Sequence, residues 1–416
     1  MAKVTIVVGL QHGSESKGAC VETLCKEKNF EFVVRGGSIQ AGHTAYYNGK
    51  AYAMQTIPCG FVNPKSKLVM GAGAYIKPSL LEREIKMLED DGIKIKDRLY
   101  IDSNAFLHPE DIAEKEKGMH ERMGSTGKGC GEAIKAAIDR KDASMKFRNC
   151  RWAQENVNKL FRIQDTVEML NECEGEILLE GIQGSALSLI HSNDYPYCTG
   201  RDTNAATLVA EAGLGMKHEF HVIGVVRTFG IRVAGNSGPM PGEIGWPELA
   251  REINSKSFGP RVKEESLQAF DAMEQEIRGE WVMPQKPLHT YTPEEREKFS
   301  KELSGIHAEV FKRLPEEVVS NLRELFEITT VTRKLRRIAR LDMRALERAI
   351  QLNGCSEIYL GFLNYLYPRQ WGALDKHILL NEGEGEIGRY IADLEERLGV
   401  PITYVSTSAT TVIKLR

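Results

Sequence analysis

The residues whose types and spacing could do chemistry begin where the first apolar run of the chain ends. Residues 4–8 are mostly β-branched and apolar, which is typical of a buried strand, and the stretch GLQHGSESKG follows from Gly9 to Gly18. The backbone N–H groups of such a turn, the N-terminus of the helix predicted after it and the cation of Lys17 together suit a phosphate group. The spacing differs from the standard P-loop, so an ordinary strand–turn–helix is the alternative.

A histidine follows the second predicted strand. Residues 32–35 form that strand, and the stretch GGSIQAGHT after them contains His43. Glycines let a backbone approach a ligand closely, and an imidazole beside a phosphate-binding turn suits a general acid or an electrophile. A histidine that only caps a loop is the alternative.

Two further stretches combine small hydroxyls with cations. Residues 123–131 (MGSTGKGCG) place two hydroxyls and Lys128 between glycines, which predicts a second anion-binding loop, with a flexible surface loop as the alternative. Residues 329–342 (TTVTRKLRRIARLD) carry five cations within eight positions, next to threonines. Guanidinium groups bind carboxylates and phosphates in bidentate fashion, so we favour an anion site there over a solvated, charged helix face.

The elements that must position these residues alternate between strands and helices. Strand-like runs at 4–8, 32–35, 68–73, 99–101, 174–180 and 218–227 are joined by helical stretches such as 76–91. This alternation predicts an α/β fold with a central, mainly parallel sheet flanked by helices, and ligands at the carboxyl ends of the strands.

The segment 246–328 differs from the rest, because it is charged, helical and without a catalytic pattern. We therefore expect a nucleotide-binding core formed by residues 1–245 and 329–416, with a helical insertion at 246–328. A helical cap, an oligomer contact, a partner surface or a solvated appendage are all open for that insertion.

Composition narrows the class of protein. The 416 residues have a formal net charge of −3, so no basic field predicts a nucleic-acid partner. No apolar run is long enough to span a membrane, and the start has no signal-peptide pattern. Eight scattered cysteines without a CxxC pair predict a reduced, cytoplasmic protein with free thiols and no zinc site.

These motifs together resemble adenylosuccinate synthetases. GLQHGSESKG is similar to the opening turn GxQWGDEGKG of that family, and AGHT to its second signature. GIQGS is similar to EGAQG, YPYCTGRDTN to YPYVTSSNT, and VPITYVSTS to VPIxxISTGP. The resemblance implies a P-loop-NTPase-like sheet, a homodimer, and a ligase that joins L-aspartate to a purine monophosphate with Mg²⁺ and a nucleoside triphosphate. We expect it to cover roughly the first 245 and the last 90 residues, without the insertion.

The resemblance also implies the site residues. Its catalytic residues would be Ser14, Lys17 and His43. Monophosphate-binding residues would be Ser14, Gln40, Ser125, Thr126, Arg140, Gln183, Thr199, Arg232 and Val233, with Arg140 reaching across the dimer interface. Aspartate-binding residues would be Thr329, Thr330, Val331, Thr332, Lys334 and Arg336, with Arg337 as the alternative to Arg336. Triphosphate-binding residues would be Gly13, Glu15, Ser16, Lys17, Gly18, Gly42, His43, Thr44, Arg336, Asn364, Leu366 and Pro368, and Mg²⁺ would contact Ser14 and Gly42.

Two departures from the family's motifs change the expected substrates. Ser14 replaces the aspartate that takes the N1 proton of IMP, and its hydroxyl can hydrogen-bond the 2-amino group that dGMP carries and IMP lacks. Phe362 and Asn364 replace the lysine and aspartate that bind guanine, and an asparagine can both donate to and accept from adenine. The donor is thus expected to be ATP or dATP.

With these departures the chain resembles the phage branch of the family, the 2-aminoadenylosuccinate synthetases. The resemblance implies the ligation of aspartate to dGMP on the route to 2-aminoadenine DNA. A divergent synthetase acting on IMP and an inactive purine-nucleotide-binding protein are the alternatives. Asp202 and water are both open as the group that accepts the N1 proton.

Overall fold

A computed structural model of the chain describes residues 1–116, 127–233, 237–256, 261–278, 305–328, 335–381 and 385–416. Seven predicted site residues lie outside these ranges. They are the two hydroxyl residues of the 123–131 loop and five residues of the predicted aspartate loop: Ser125, Thr126, Thr329, Thr330, Val331, Thr332 and Lys334.

The architecture is a large central sheet with helices on both faces. Its strands are Lys3–Gly9 (β1), Phe32–Gly37 (β2), Lys67–Ile76 (β5), Leu99–Asp102 (β6), Phe106–Leu107 (β7), Arg162–Gln164 (β8), Glu176–Gly184 (β9), Glu219–Arg227 (β10), Glu357–Gly361 (β14), Ile402–Ser406 (β15) and Val412–Lys414 (β16). Their order is β16-β15-β14-β10-β1-β9-β2-β5-β6-β8, with β7 paired to β5. The described pairs are parallel except β15–β16, so the predicted fold class is confirmed.

Two smaller antiparallel sheets lie outside the central one. His43–Tyr47 (β3) and Lys50–Met54 (β4) form a hairpin. Phe229–Arg232 (β11) and Glu243–Ile244 (β12) both pair with Arg337–Arg340 (β13). The cationic stretch predicted from 329 onward is thus a strand in its described part, and the alternative of a charged helix face is wrong there.

The described helices cover both faces of the central sheet or belong to the segment 246–328, which packs on a smaller sheet. They include Lys17–Glu27 (α1), Pro78–Asp90 (α2), Cys130–Asp139 (α3), Arg151–Asn156 (α4), Thr166–Asn171 (α5), Ala205–Ala212 (α6), Trp246–Lys256 (α7), Glu264–Arg278 (α8), Glu316–Leu322 (α9), Met343–Asn353 (α10), Lys376–Asn381 (α11) and Glu386–Leu398 (α12). A further helical stretch covers 305–313. No helix in the described part of the chain is long and apolar enough to cross a membrane.

The first strand explains why the sheet has two cores. Val4, Ile6 and Val8 pack into the core beneath α6, α10 and α12, whereas Val7 packs into the core beneath α1 and α2. Successive side chains of a strand point to opposite faces, and a parallel strand covered on both faces is a continuous apolar run rather than an alternating one. The pattern of residues 4–8 therefore identifies a central strand.

The helical segment 246–328 packs on the smaller β11–β13–β12 sheet. Its buried Trp246, Leu249 and Phe270 form a third core with Phe229 and Ile338 of that sheet. The indole Nε1 of Trp246 donates to the backbone oxygen of Arg336 at 2.6 Å. The segment thus holds the strand that carries the predicted anion site. The domain limits at 245 and 328 stay a prediction.

The Trp246 contact predicts that this segment unfolds together with the core. We expect Trp246→Ala to lower the free energy of unfolding by about 3–5 kcal/mol, because it removes a fully buried aromatic side chain. Trp246→Phe keeps a ring and loses the hydrogen bond, at a cost of about 1 kcal/mol. Urea unfolding followed by circular dichroism measures both changes. If Trp246→Ala leaves the unfolding transition of the core unchanged, the segment folds separately.

Candidate active site

The turn after β1 leaves the next helix uncapped. Gly13 has a φ of +95° and Ser16 a φ of 77°, so both residues have left-handed backbone. Ser16 directly precedes α1, and no side chain within the described residues caps the first N–H groups of that helix. Uncapped N–H groups favour an anion. Ser16 adopts this conformation where the family's motif has glycine, at a cost of roughly 1 kcal/mol.

The anion in this turn is the carboxylate of Glu15. Its Oε1 accepts hydrogen bonds from the backbone N–H groups of Gln11 at 3.0 Å and Gly13 at 2.6 Å. Its Oε2 lies 2.6 Å from Nζ of Lys17, and both side chains are at most 1% exposed. The turn therefore binds a negative group in the structure, and the charge of Lys17 is neutralised there by Glu15.

Ser14 lies between two arginines. Its Oγ accepts a hydrogen bond from Arg336 NH1 at 3.0 Å, and its backbone oxygen accepts one from Arg227 NH1 at 3.3 Å. The Nε of Arg336 is buried and has no hydrogen-bond partner among the described residues. Arg336 therefore lies directly beside the turn, and the anion site suggested by the cationic stretch stays a prediction.

Arg337, the alternative to Arg336, has a structural position. Its Nε and NH2 donate to the two carboxylate oxygens of Glu243 at 2.7 and 2.6 Å, and its NH1 donates to the backbone oxygen of Gly238 at 2.6 Å. A buried guanidinium that is satisfied in this way has little capacity left for a ligand.

His43 is held by a buried ion pair at the start of β3. Its Nδ1 lies 2.6 Å from Oε1 of Glu180, which also accepts from Arg35 NH1 at 2.7 Å. Burial, aided by the positive charge of Arg35, lowers the pKa of His43 to about 4. The imidazole is therefore neutral at neutral pH, and Glu180 orients it by accepting from Nδ1.

The strand that begins at His43 lies tight against α1. A Cβ on Gly18 would lie 2.5 Å from the backbone oxygen of Thr44, so only glycine permits this approach. Gly42 comes directly before His43. The predicted triphosphate residues of the turn and of the second signature thus form one surface.

Two of the predicted monophosphate residues meet just beyond the end of β2. The amide nitrogen of Gln40 lies 3.3 Å from Oγ1 of Thr199, and Oε1 of Gln40 is buried with no partner among the described residues. Lys128 Nζ donates to the backbone oxygen of Ile39 at 3.2 Å. The side chain of Gln183 approaches Gly13, where a Cβ would lie 2.9 Å from its amide oxygen. Two predicted binding loops and the turn therefore adjoin one another.

Arg232 and Arg140 differ from their neighbours in the predicted set. The buried guanidinium of Arg232 donates to Asp194 and to the backbone oxygen of Tyr197, each at 2.9 Å, so it holds the loop that precedes Thr199. Val233 follows it directly. Arg140 is exposed, ends α3 with left-handed backbone, and makes no described contact with this site.

A buried asparagine marks the second part of the site, beyond β14. Asn364 is 0% exposed, and neither atom of its amide has a hydrogen-bond partner among the described residues. Buried polar groups without partners are rare and costly, so this side chain indicates a ligand with both a donor and an acceptor. Leu366 and Pro368 follow it in the chain.

Phe362 precedes this asparagine in left-handed backbone, with a φ of 57°. Its N–H donates to Ser406 Oγ and its backbone oxygen accepts from Thr228 Oγ1, each at 2.7 Å. Arg227 lies over its ring at 3.7 Å. The ring predicted to stack on a base thus already packs against a cation on one face.

The carboxylate of Asp202 is engaged by its neighbours in the chain. Its carboxylate accepts hydrogen bonds from Ser188, Asn204 and Thr207, the last at 2.8 Å. These contacts stabilise the start of α6. Asp202 thus has a structural task, and whether it or water accepts the N1 proton stays open.

Four charged residues of the site were missed by sequence reasoning. Glu180 and Arg35 orient His43, and Glu327 accepts hydrogen bonds from Arg227. Glu180 and Arg35 are charges within apolar strands, which is a signal for a functional group. Glu327 lies in the segment without a recognised motif, so the sequence offers no such signal for it.

The pKa of His43 predicts a pH dependence of stability. The unfolded chain binds a proton near the ordinary pKa of 6.5, whereas folded His43 does so only near 4, so stability is full above about pH 6.5 and falls as the pH drops toward 4. The free energy of unfolding of the unmodified protein should therefore fall between pH 6.5 and 4. In His43→Gln this fall should be smaller by on the order of 1–3 kcal/mol. Urea unfolding at pH 7, 6, 5 and 4.5 measures it.

The unmodified protein, measured in parallel at the same pH values, is the reference. Equal slopes for His43→Gln and the unmodified protein would contradict the assignment of a neutral, buried imidazole.

Comparison with known proteins identifies the family. The model of the family described as adenylosuccinate synthetase matches residues 6–150 and 142–368. The adenylosuccinate synthetases of Methanococcus vannielii and Methanocaldococcus jannaschii are each 28% identical to this chain over 97% of its length, covering 95% and 93% of the relatives. These matches include the segment 246–328, so the resemblance is wider than predicted.

Two solved structures share the fold. Cyanophage S-2L succinoaminodeoxyadenylate synthetase, bound to dGMP and to dATP as an energy donor, has a TM-score of 0.65 at 24% identity and covers 100% of this chain and 95% of its own. Fully ligated adenylosuccinate synthetase from Plasmodium falciparum has a TM-score of 0.69 at 17% identity, covering 99% and 100%. With a family model that matches most of its length, the chain belongs to the adenylosuccinate synthetase family, whose members are ligases that form a carbon–nitrogen bond using a nucleoside triphosphate.

Proposed function

We propose that this enzyme joins L-aspartate to C6 of dGMP, with ATP or dATP as the energy donor, to give 2-aminoadenylosuccinate. The observation that carries the proposal is Ser14, a neutral hydroxyl bonded to Arg336 where the family's motif has a carboxylate. A hydroxyl can accept from the 2-amino group of dGMP. The cyanophage protein of the same fold, whose structure holds dGMP and dATP, supports the same substrates.

The reaction proceeds in two steps. The γ-phosphoryl group of the donor moves to O6 of the purine, which releases the nucleoside diphosphate and the N1 proton. The amine of aspartate then attacks C6, loses a proton and displaces phosphate. Positioning and charge neutralisation provide most of the catalysis in phosphoryl transfer.

Several groups of the chain would serve these steps. In the proposed complex the amine of Lys17, which is paired with Glu15 in the structure, and the N-terminus of α1 would face the transferring group, and Arg336 would neutralise its charge from the side of Ser14. The negative charge of a bound triphosphate favours the protonated form of a neighbouring imidazole. His43, held at Nδ1 by Glu180, can then donate from Nε2 toward O6.

The residues present fit magnesium as part of a shared site. The backbone oxygen of Gly42 is a hard, neutral oxygen that would hold the ion directly. The two lone pairs of Ser14 Oγ are taken by Arg336 and, in the proposed complex, by the 2-amino group, so Ser14 would contact the ion through water. Mg²⁺ usually combines few protein oxygens with substrate phosphates and water. When bound, the ion would neutralise charge on the phosphates.

The homodimer is part of the same proposal. Ile138, Ile190 and Tyr195 are 67%, 70% and 72% exposed. They lie on α3 and the loop after β9, which touch where Gly200 approaches Ile134. Large exposed apolar side chains mark interaction surfaces, and Arg140 ends α3 two residues after Ile138.

Offering dGMP and IMP in parallel tests the substrate. With ATP, Mg²⁺ and aspartate, we expect phosphate release and a product of the expected mass with dGMP. Turnover with IMP alone would favour the divergent synthetase, which the names of the archaeal relatives support. Silence with both purines would contradict both ligase assignments.

Ser14 variants test the reason for this choice. Ser14→Asp should lower kcat/KM for dGMP at least about 10-fold, because a longer, charged group fills the space of the 2-amino group, and should improve the relative use of IMP. Ser14→Ala, the matched control, loses one hydrogen bond without filling that space, so it should lower dGMP turnover without improving IMP. An unchanged dGMP-to-IMP ratio in Ser14→Asp would contradict the role of this position.

Asn364 predicts the donor base. An aspartate at this position only accepts hydrogen bonds, so Asn364→Asp should raise KM for ATP about 10-fold or more and improve the use of GTP. Asn353→Asp is the control, because the amide of this buried asparagine is already bonded to Ala205, Ser185 and Ala349. It should lower stability without changing base preference. Phosphate release with ATP and with GTP measures the base preference of each variant. The same ATP-to-GTP ratio in Asn364→Asp and Asn353→Asp would contradict the role of Asn364 in the donor site.

A further inference from the structure

Glu327 is a partly buried carboxylate, with 21% of its side chain exposed, that binds two arginines at once. Its Oε1 accepts from Arg227 NH2 at 2.5 Å and from the hydroxyl of Tyr365 at 2.9 Å. Its Oε2 accepts from Arg227 NH1 at 3.2 Å and lies 3.6 Å from Arg336 NH1. All its described partners are strong donors, so its position is fixed from several sides.

Both arginines continue from this carboxylate to the turn after β1. Arg336 NH1 reaches Ser14 Oγ at 3.0 Å, and Arg227 NH1 reaches the backbone oxygen of Ser14 at 3.3 Å. Arg227 also lies 3.7 Å from the ring of Phe362. A chain of contacts therefore joins the turn to the region of Asn364, and Glu327 is its centre.

The charges explain why a carboxylate is needed there. Two guanidinium groups approach Ser14, whose side chain is neutral, and the nearby carboxylate of Glu15 is already paired with Lys17. Two uncompensated cations side by side in a buried site are costly. Burial raises the pKa of Glu327, but Arg227 and Arg336 outweigh this and hold it below its usual value, so the group is ionised at neutral pH.

We propose that Glu327 is a positioning residue that holds Arg336 and Arg227 against the Ser14 turn. The negative charge that position 14 lacks is thus provided from the helical segment 246–328. The same carboxylate connects the substrate turn to the region of Asn364, since Arg227 contacts both Ser14 and Phe362. This inference rests on the proposed function, because it assigns a task at the same site.

A double-mutant cycle with Ser14 tests this role. Glu327→Gln keeps the shape and can still accept hydrogen bonds, but it removes the charge. We expect kcat to fall about 10- to 100-fold, because Arg336 is no longer fixed beside the reacting group. In the Ser14→Ala background, where Arg336 has lost its contact with the turn, the same change should lower kcat less than about 3-fold. Glu327→Asp keeps the charge and should restore part of the activity.

The matched control is Glu243, which forms the buried bidentate pair with Arg337 on the neighbouring strand. Glu243→Gln removes the same kind of charge without a contact to Ser14, so its effect should be equal in both backgrounds. Equal effects of Glu327→Gln in the two backgrounds would overturn the proposal. So would a loss of thermal stability with unchanged kcat, which is the result of a merely structural role.

The cycle remains informative if the substrate differs. The cycle uses whichever purine monophosphate the unmodified enzyme converts. Turnover of IMP alone would overturn the proposed substrate, but the coupling energy between Glu327 and Ser14 would still test the positioning role. If no purine is converted, calorimetric affinity for ATP replaces kcat. Coupling between Glu327 and Ser14 in that affinity supports the positioning role, and additivity overturns it.

Discussion

Buried charge is the constraint on which this site depends. The carboxyl edge of the sheet places Lys17, Arg35, Glu180 and Arg227 in positions that water barely reaches. An ion removed from water loses several kcal/mol of solvation unless a partner replaces it. Each cation here consequently has a carboxylate: Glu15 for Lys17, Glu180 for Arg35 and Glu327 for Arg227.

The pairing determines which groups remain for ligands. The guanidinium of Arg337 is engaged by protein atoms on several sides, whereas Arg336, Arg232 and Arg227 each retain a buried Nε without a partner among the described residues. Asn364 has neither amide atom satisfied. The groups that lack partners are thus a small part of the polar residues at this edge, and they lie on both sides of the Arg227–Glu327 pair.

Much of the fold could be predicted from the sequence. The run at residues 4–8 identifies a strand buried on both faces, and glycine-rich turns after successive strands identify the edge where the ligands belong. The choice between Arg336 and Arg337 could not be made, because neighbouring residues of a strand point to opposite sides and the sequence does not say which side faces Ser14. Glu327 lies more than 300 positions from Ser14, and no local pattern marks such a contact.

The helical segment 246–328 is a second case in which the sequence alone is misleading. Its charged composition suggests a solvated appendage, yet its apolar side chains form a core with the β11–β13–β12 sheet. Trp246 holds the backbone at Arg336 and Glu327 holds its side chain. The overall composition of a helix reflects mainly its exposed residues, whereas its few apolar side chains determine which part of the protein it packs against.

Glu15 gives the turn after β1 a further property. Its carboxylate already accepts hydrogen bonds from the N–H groups of Gln11 and Gly13 and from the amine of Lys17, so the donors of the turn are not free for a ligand. Entry of a phosphate under the proposed function is then an exchange of one anion for another. The affinity measured for such a ligand is the difference between two sets of hydrogen bonds, and the displaced carboxylate becomes an additional negative group beside the phosphates. A phosphate ligand that arrives without a cation would therefore bind weakly, because the displaced carboxylate of Glu15 repels it.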